Sequence, residues 1–350
     1  MPNPVGLLSL ATATPPHIIK QAEAAQAAEQ MFASSIADFR HFSRVFRNAG
    51  VRTRHVARPL PWFFQPHDWP DRMAIFLEVG GDLFKQAARE ALEMAGLTAA
   101  DVDIIVTVSS TGFATPSLEA HVAAEMGFRP DVMRVPVFGL GCAGGVSGFS
   151  IAAGLAAGRP GANVLFVTVE LCSLAFQLID PTRADIVATA LFSDGAAACV
   201  LRAGERGLAT VEATAEHMFP DTLELIGWRI GPSGFGVLLQ LELPPFVRDN
   251  LGAATAGMLA RHGLRMEDIG RFICHPGGAK VIEALESGLS LQQGTLDHER
   301  AVLGAYGNMS SPTVLFILQR AIQAGLPERS AMISMGPGFS ASCAVLKRAA

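Results

Sequence analysis

Two rhythms alternate along this chain. Short runs rich in apolar residues at Val5–Ala11, Val102–Ser109, Val132–Val137, Val164–Glu170, Ala196–Arg202 and Arg271–Cys274 read as strands, that at Val102–Ser109 as a buried one. Between them lie stretches with helical spacing: Gln21–Phe46, Gly81–Gly96, Ser117–Met126, the Gly/Ala-rich segment after Cys142, and a loop and helix reaching about Thr189. Pro59–Pro70 is an aromatic, proline-rich loop in this reading. Strands alternating with helices at this spacing predict an α/β fold with a largely parallel sheet.

The pattern also repeats. Leu92–Thr107 and Leu259–Cys274 share a helix, a Gly-Leu turn, a short acidic link and a strand, 167 residues apart. In the next unit Gly141-Cys142 falls opposite Gly307-Asn308, and each pair precedes a helix ending at Gly158 or Gly325. The chain therefore reads as two copies of one α/β unit, residues 1–205 and 206–350, with a functional site expected where they meet.

Composition narrows the function. Half of the 350 residues are hydrophobic and only 17% are charged, enough for a large core and an oligomer. A net charge of −5 argues against a general nucleic-acid binder. Cys142, Cys172, Cys199, Cys274 and Cys343 show no metal-ligand or disulfide spacing, so a cytoplasmic protein with no metal site is expected. Residues 135–158 carry no charge, yet their seven glycines and the preceding strand favour a buried core helix over a membrane span. Arg40, Arg44, Arg47, Arg52, Arg54 and Arg58 form a run with no intervening acid. It reads either as a solvated helix face or as a site for a polyanionic small molecule.

Cys142 stands at a glycine turn between a strand and a helix. There the free N–H groups and the helix dipole are expected to lower its thiol pKa below the free value of about 8.5. His275 directly follows a strand, in Cys-His-Pro-Gly-Gly, and Asn308 opens the second-half helix. Taken singly, each has an ordinary structural explanation: a small buried thiol, a surface histidine, an N-cap. Together they supply a nucleophile, a base and an amide donor, which suits acyl transfer.

These residues carry a resemblance. Gly-Leu-Gly-Cys142-Ala-Gly-Gly, Leu191-Phe-Ser-Asp-Gly-Ala-Ala-Ala198, His275-Pro-Gly-Gly278, Tyr306-Gly-Asn-Met-Ser-Ser311 and Gly336-Pro-Gly-Phe339 resemble the type III polyketide synthases, the chalcone-synthase-like enzymes. Within them the chain looks closest to microbial alkylresorcinol and alkylpyrone synthases, on Glu170–Gln177 and Gly-Asn-Met-Ser-Ser-Pro-Thr-Val-Leu-Phe316. The resemblance implies a thiolase-like, duplicated αβαβα layered fold, a homodimer and a Cys142-His275-Asn308 triad. The substrates it implies are acyl-coenzyme A and malonyl-coenzyme A, with no other cofactor. Phe192 matches the family's gatekeeper. Cys172, Ala175, Ser110, Ser310 and Gly227 fall at its cavity positions. Arg44 matches a coenzyme A contact, with Arg47, Lys280, Gly277 and Gly278 beside it. Two family cations are replaced by His41 and Asn48, and Thr115 stands where plant members place a methionine that crosses the dimer.

Three other readings compete. A β-ketoacyl-carrier-protein synthase of the initiating type shares fold and triad but usually follows its histidine with Gln-Ala-Asn. A cysteine hydrolase acting on thioesters uses the same residue types without this duplication. A non-catalytic scaffold would not need all three triad positions. Cys172 and Ala175 replace threonines of plant members, and so imply a more apolar wall suited to a long fatty acyl starter and pyrone or resorcinol products.

Overall fold

The computed structural model describes residues 4–36, 38–176, 178, 181–231 and 234–349; of Arg40 it describes only the backbone. Its strands are β1 Val5–Ala13, β2 His17–Lys20, β3 Thr53–Val56, β4 Ile104–Val108, β5 Met133–Val137, β6 Val164–Leu171 and β7 Asp194–Ala203. They continue with β8 Ala209–Met218, β9 Ile226–Gly231, β10 Gly234–Leu239, β11 Arg271–Cys274, β12 Arg329–Gly336 and β13 Ser340–Arg348. Hydrogen bonding runs in the order β5-β4-β6-β7-β1-β8-β13-β12-β11. Between β1 and β8 it passes through two residue pairs only, Val5 with Val211 and Gly6 with Thr210. Two half-sheets therefore meet along a short seam. The alternating pattern predicted a largely parallel sheet, but parallel pairing is the minority and holds for β4 with β5 and β6, and for β11 with β12, because a tight turn joins β12 to β13 and β1 and β8 insert between β13 and β7. The ladders of β7, β1, β8 and β13 are antiparallel.

The half-sheets enclose a central layer of two helices. Gly144–Gly158 packs on β4, β6 and β7 of one half and on β8, β12 and β13 of the other. Thr313–Ala324 touches β1, β7, β11 and β12, and packs against Gly144–Gly158. Outside, Trp69–Met94 covers β1, β6 and β7, while Leu243–Ala260, with Ala279–Gly288 against it, covers β8 and β13. The result is five layers, helix–sheet–helix–sheet–helix, as the resemblance implied. Together with the turn before it, the helix Gly144–Gly158 forms Gly141–Gly158, the one described helical stretch long and apolar enough to cross a bilayer, and most of it is buried in this central layer.

Glycine lets the central helices approach. A Cβ on Gly145 would lie 2.2 Å from the Ser311 carbonyl oxygen, and one on Gly148 would lie 2.6 Å from the Phe166 ring. Around these contacts Val146, Phe149, Ala152, Val314, Ile317 and Leu318 are wholly buried.

Two local expectations need correction. Gln21–Phe46 is not one helix: regular structure stops at Phe32, Asp38 takes a left-handed φ of 59°, and only four-residue turns at Phe39–Phe42 and Val45–Asn48 follow. The helix read from Gly81 instead begins at Trp69, with Asp68 accepting the Asp71 amide as N-cap and Pro70 in the first turn, where its missing N–H costs nothing. Gly80 and Gly81 mark close packing on Val169, Leu118 and Val122 rather than a helix start. The β9–β10 hairpin has no counterpart in the sequence reading.

The close approach can be measured. Gly145→Ala must displace backbone and should destabilise the protein by about 1–3 kcal/mol, as overpacked cores do. Gly154→Ala, in the same helix and facing open space, should be neutral or stabilising by up to about 1 kcal/mol. Thermal unfolding of both variants decides; a Gly145→Ala protein as stable as Gly154→Ala would contradict the packing.

Candidate active site

The three candidate catalytic residues arrive on separate elements. Cys142 lies in a 3-10 turn, Gly141–Ala143, that runs into the central helix Gly144–Gly158. Gly141 has a φ of 50°, and a Cβ there would press 2.6 Å from Pro337. A Cβ on Gly336 would lie 2.4 Å from the Leu140 carbonyl oxygen. The Gly336–Phe339 turn thus packs directly on the cysteine loop. His275 leaves the end of β11, its amide donating to the Ile333 carbonyl at 2.8 Å. Asn308 sits between Gly307 and Ser310, both at positive φ. Its Oδ1 accepts the Ser310 amide at 2.8 Å and its Nδ2 donates to the Gly277 carbonyl at 3.4 Å.

Cys142, His275 and Asn308 are 6%, 2% and 3% exposed and line one cavity with Phe192 and Gly277. A second cavity shares Cys142 and Phe192 and adds Ser310, Gly227 and Trp228. A third, of about 620 Å³ including space open to solvent, is lined by Phe192, Cys172, Ala175 and a mostly apolar wall that includes Met31, Leu60 and Phe63. Phe192 borders all three. Its place is fixed by backbone: the Ser193 amide donates to the Asn308 carbonyl and the Asn308 amide to the Leu191 carbonyl, both at 2.9 Å.

The electrostatics differ from the sequence expectation. Burial, not the helix end, dominates at Cys142 and pushes its thiol up to about 12, against a hydrogen bond from Ser310. Burial pushes His275 down to about 3. Neither group ionises alone near neutral pH. Moving one proton from Cys142 to His275 buries a pair in place of a lone charge, which the apolar surroundings tolerate far better. Neither ring nitrogen of His275 has a hydrogen-bond partner among the described residues, so the imidazole is free to take that proton.

A residue that sequence reasoning passed over lies beneath the site. Glu170 is fully buried, and its carboxylate accepts the Ser110 amide at 2.9 Å and the hydroxyls of Thr111 at 2.7 Å and Ser311 at 2.8 Å. Ser110 Oγ in turn accepts the Gly141 amide at 2.9 Å. Burial raises Glu170 to about 7. The signal was present: an acid inside the apolar strand Val164–Leu171.

The basic run does not form one patch. Arg54 is buried, Arg58 pairs with Glu78 at 2.5 Å, and the Arg40 side chain lies outside the described residues. Arg44, Arg47 and Lys280 are exposed. The Ala279 amide donates to the Ala49 carbonyl at 3.3 Å, which brings the helix carrying Lys280 beside the turn carrying Arg47. Gly278 is buried next to Leu191. Thr115 is exposed. Among the described residues no group of three or more His, Cys, Asp or Glu side chains is placed to hold a metal ion.

Comparison with known proteins agrees with this geometry. The family model for chalcone and stilbene synthases matches with its N-terminal domain over residues 3–205 and its C-terminal domain over residues 210–348. A 1,3,6,8-tetrahydroxynaphthalene synthase of Streptomyces peucetius is 43% identical over 344 residues, 96% of this chain and 91% of that protein. An alpha-pyrone synthesis polyketide synthase-like protein of Mycobacterium tuberculosis is 29% identical over 343 residues, 95% of this chain and 86% of that one. The crystal structure of the Streptomyces coelicolor tetrahydroxynaphthalene synthase, a bacterial type III polyketide synthase, superposes with a TM-score of 0.93 at 29% identity, covering 99% of each chain.

If the proton shuttles within the pair, iodoacetamide should alkylate Cys142 fastest of the five cysteines, with an apparent pKa below about 8.5. In His275→Gln, burial is no longer offset and the profile should climb only well above that pH. Peptide mapping of alkylation rate against pH checks this; identical profiles would exclude the pairing.

Proposed function

Since this chain belongs to the chalcone and stilbene synthase family and is a type III polyketide synthase, an acyltransferase that acts on coenzyme A thioesters, we propose that it extends a long-chain fatty acyl starter. In this reading the Cys142 thiolate attacks the acyl-coenzyme A carbonyl. Coenzyme A leaves as its thiol with the proton that His275 holds. Malonyl-coenzyme A then loses carbon dioxide, and its enolate oxygen is stabilised by His275 and the free N–H of Asn308. The enolate carbon attacks the Cys142 thioester and returns the thiolate. Phe192, an apolar ring beside the departing carboxylate, disfavours the charged ground state. The products are pyrone- or resorcinol-type, and the reaction uses no further cofactor. Family membership sets aside the cysteine-hydrolase and scaffold readings of the sequence.

The observation that carries the starter assignment is the junction at Phe192. There the cavity of Cys142, His275 and Asn308 borders a second, mostly apolar space walled by Cys172 and Ala175. Each buried methylene contributes about 0.8 kcal/mol, so such a wall favours long chains over acetyl. A second reading, a malonyl starter leading to a naphthalene, is favoured by the 43% identity to the tetrahydroxynaphthalene synthase. Exposed Arg44, Arg47 and Lys280, with Gly277 and Gly278, support a mouth for the coenzyme A phosphates on the side of the Ala49–Ala279 contact. We further assign the working form as a cytoplasmic homodimer; the five buried free cysteines fit a reducing compartment.

Incubation with malonyl-coenzyme A and acyl-coenzyme A of two to sixteen carbons, read by mass spectrometry, tests the assignment. kcat/KM should rise with chain length, and Ala175→Trp, less sharply Cys172→Phe, should shorten the longest accepted starter while sparing short ones. A flat profile, or a naphthalene formed from malonyl-coenzyme A alone, would sink the long-chain reading. Arg44→Ala should raise KM for both thioesters more than it lowers kcat, as loss of a uniformly bound phosphate handle does. A pure kcat effect would remove Arg44 from the mouth.

A further inference from the structure

β3 carries an arginine that this chemistry leaves unused. Arg54 is 3% exposed, whereas Arg52 beside it is exposed. Its guanidinium donates to four acceptors. Nη1 reaches the Thr189 carbonyl and, at 3.4 Å, the Phe192 carbonyl; Nη2 reaches the Ala190 carbonyl at 3.0 Å and the Gln21 side-chain carbonyl. Three of these belong to the C-terminal end of the helix Arg183–Leu191 and the residue that follows it. Such carbonyls lack partners within their own helix, and a cation there meets the negative end of the dipole. Among the described residues no carboxylate is a hydrogen-bond partner of Arg54, so the carbonyl fan holds the charge in a mostly apolar wall. A planar fork can satisfy four acceptors at once; a lysine ammonium has three donors radiating from one point. Arg54 is braced in turn by Gln21, whose amide donates to Ala190 at 3.1 Å and Phe46 at 2.9 Å.

The same strand grips the residues after Phe192. The Ser193 hydroxyl donates to the His55 carbonyl at 2.9 Å and accepts the His55 amide at 3.0 Å. Just beyond β3, the Ala57 amide donates to Asp194 at 2.6 Å. Phe192 is thus pinned on both sides, and Asn308 hangs from the same segment through Leu191 and Ser193.

We propose that Arg54 is a positioning residue for malonyl decarboxylation: by tying off the helix end it sets the place of the Phe192 ring and, through the Leu191–Ser193 backbone, of the Asn308 carboxamide. This rests on the roles given to Phe192 and Asn308 above. Cys142 and His275 stand on other elements, so loading of a short acyl group, which need not enter the cavity that Arg54 helps to line, should not depend on Arg54.

The test separates the two half-reactions. Intact-mass spectrometry reads acylation of Cys142 by one equivalent of acetyl-coenzyme A. Acetyl-coenzyme A formed from malonyl-coenzyme A alone reads decarboxylation. Arg54→Lys should keep the acylation rate within about twofold and the KM for malonyl-coenzyme A nearly unchanged, while its decarboxylation kcat falls roughly ten- to a hundredfold, as misplacements of about 1 Å do. Gln21→Leu, which frees one arm of the guanidinium, should show a smaller loss of the same kind and carries the test if Arg54→Lys does not fold. Equal losses in both half-reactions, or an unchanged decarboxylation rate in folded protein, would overturn the proposal. Asn308→Ala is run alongside. If it leaves decarboxylation intact, the role given to Asn308 is itself wrong, whatever Arg54 does.

Discussion

The structure depends on a pair of hydrogen bonds that cross between its halves. Leu191 and Ser193 flank the helix-to-strand turn of the first half, and Asn308 stands in the turn between the helix Asp297–Tyr306 and the central helix Thr313–Ala324 of the second, not at a helix start as the sequence suggested. Their main chains are joined as in a parallel sheet, although neither lies in a ladder. Backbone pairing of this kind tolerates little slack, because each group left unpaired in a dry interior costs a kilocalorie or more. The ring of one half and the carboxamide of the other therefore share a single frame, and the cavity between them inherits its dimensions from that frame.

A dry interior also decides the acid–base character of the site. Cys142, His275 and Glu170 are all pushed toward their neutral forms by burial. The helix end at Cys142, strong in isolation, is a minor influence once water is gone. In such surroundings a charge created by proton transfer from Cys142 to His275 is one of a pair rather than a lone ion.

Much of the fold, and three residues that line the central cavity, were legible in the sequence because they sit at punctuation. Cys142 and Asn308 each follow a glycine, His275 stands two residues before one, and the internal repeat aligns Cys142 with Asn308 at an offset of 166 residues. The five layers follow from apolar runs too long to be solvated on either face. What could not be read was anything decided by partners distant in sequence. Arg54 looks like its solvated neighbours, and only the carbonyls of residues 189–192, about 135 positions later, give it a buried role. Glycine misled in the same way: Gly80-Gly81 resembles a helix boundary until Val169, Leu118 and Val122 are brought against it. The β9–β10 hairpin is short, with an outer half that is largely exposed, and offers little apolar periodicity to detect.

The doubling of the fold has a consequence for how such a site can arise. In an association of two identical half-length chains, any residue at the tip of one central helix must reappear at the tip of the other. Cysteine would face cysteine, or asparagine asparagine. Joined in one chain, the two positions are free to diverge, and here the turns that lead into the central helices carry Cys142 and Asn308, a thiol and a carboxamide. Fusion sacrifices one of two symmetric sites, and the remaining site gains two chemically different ends.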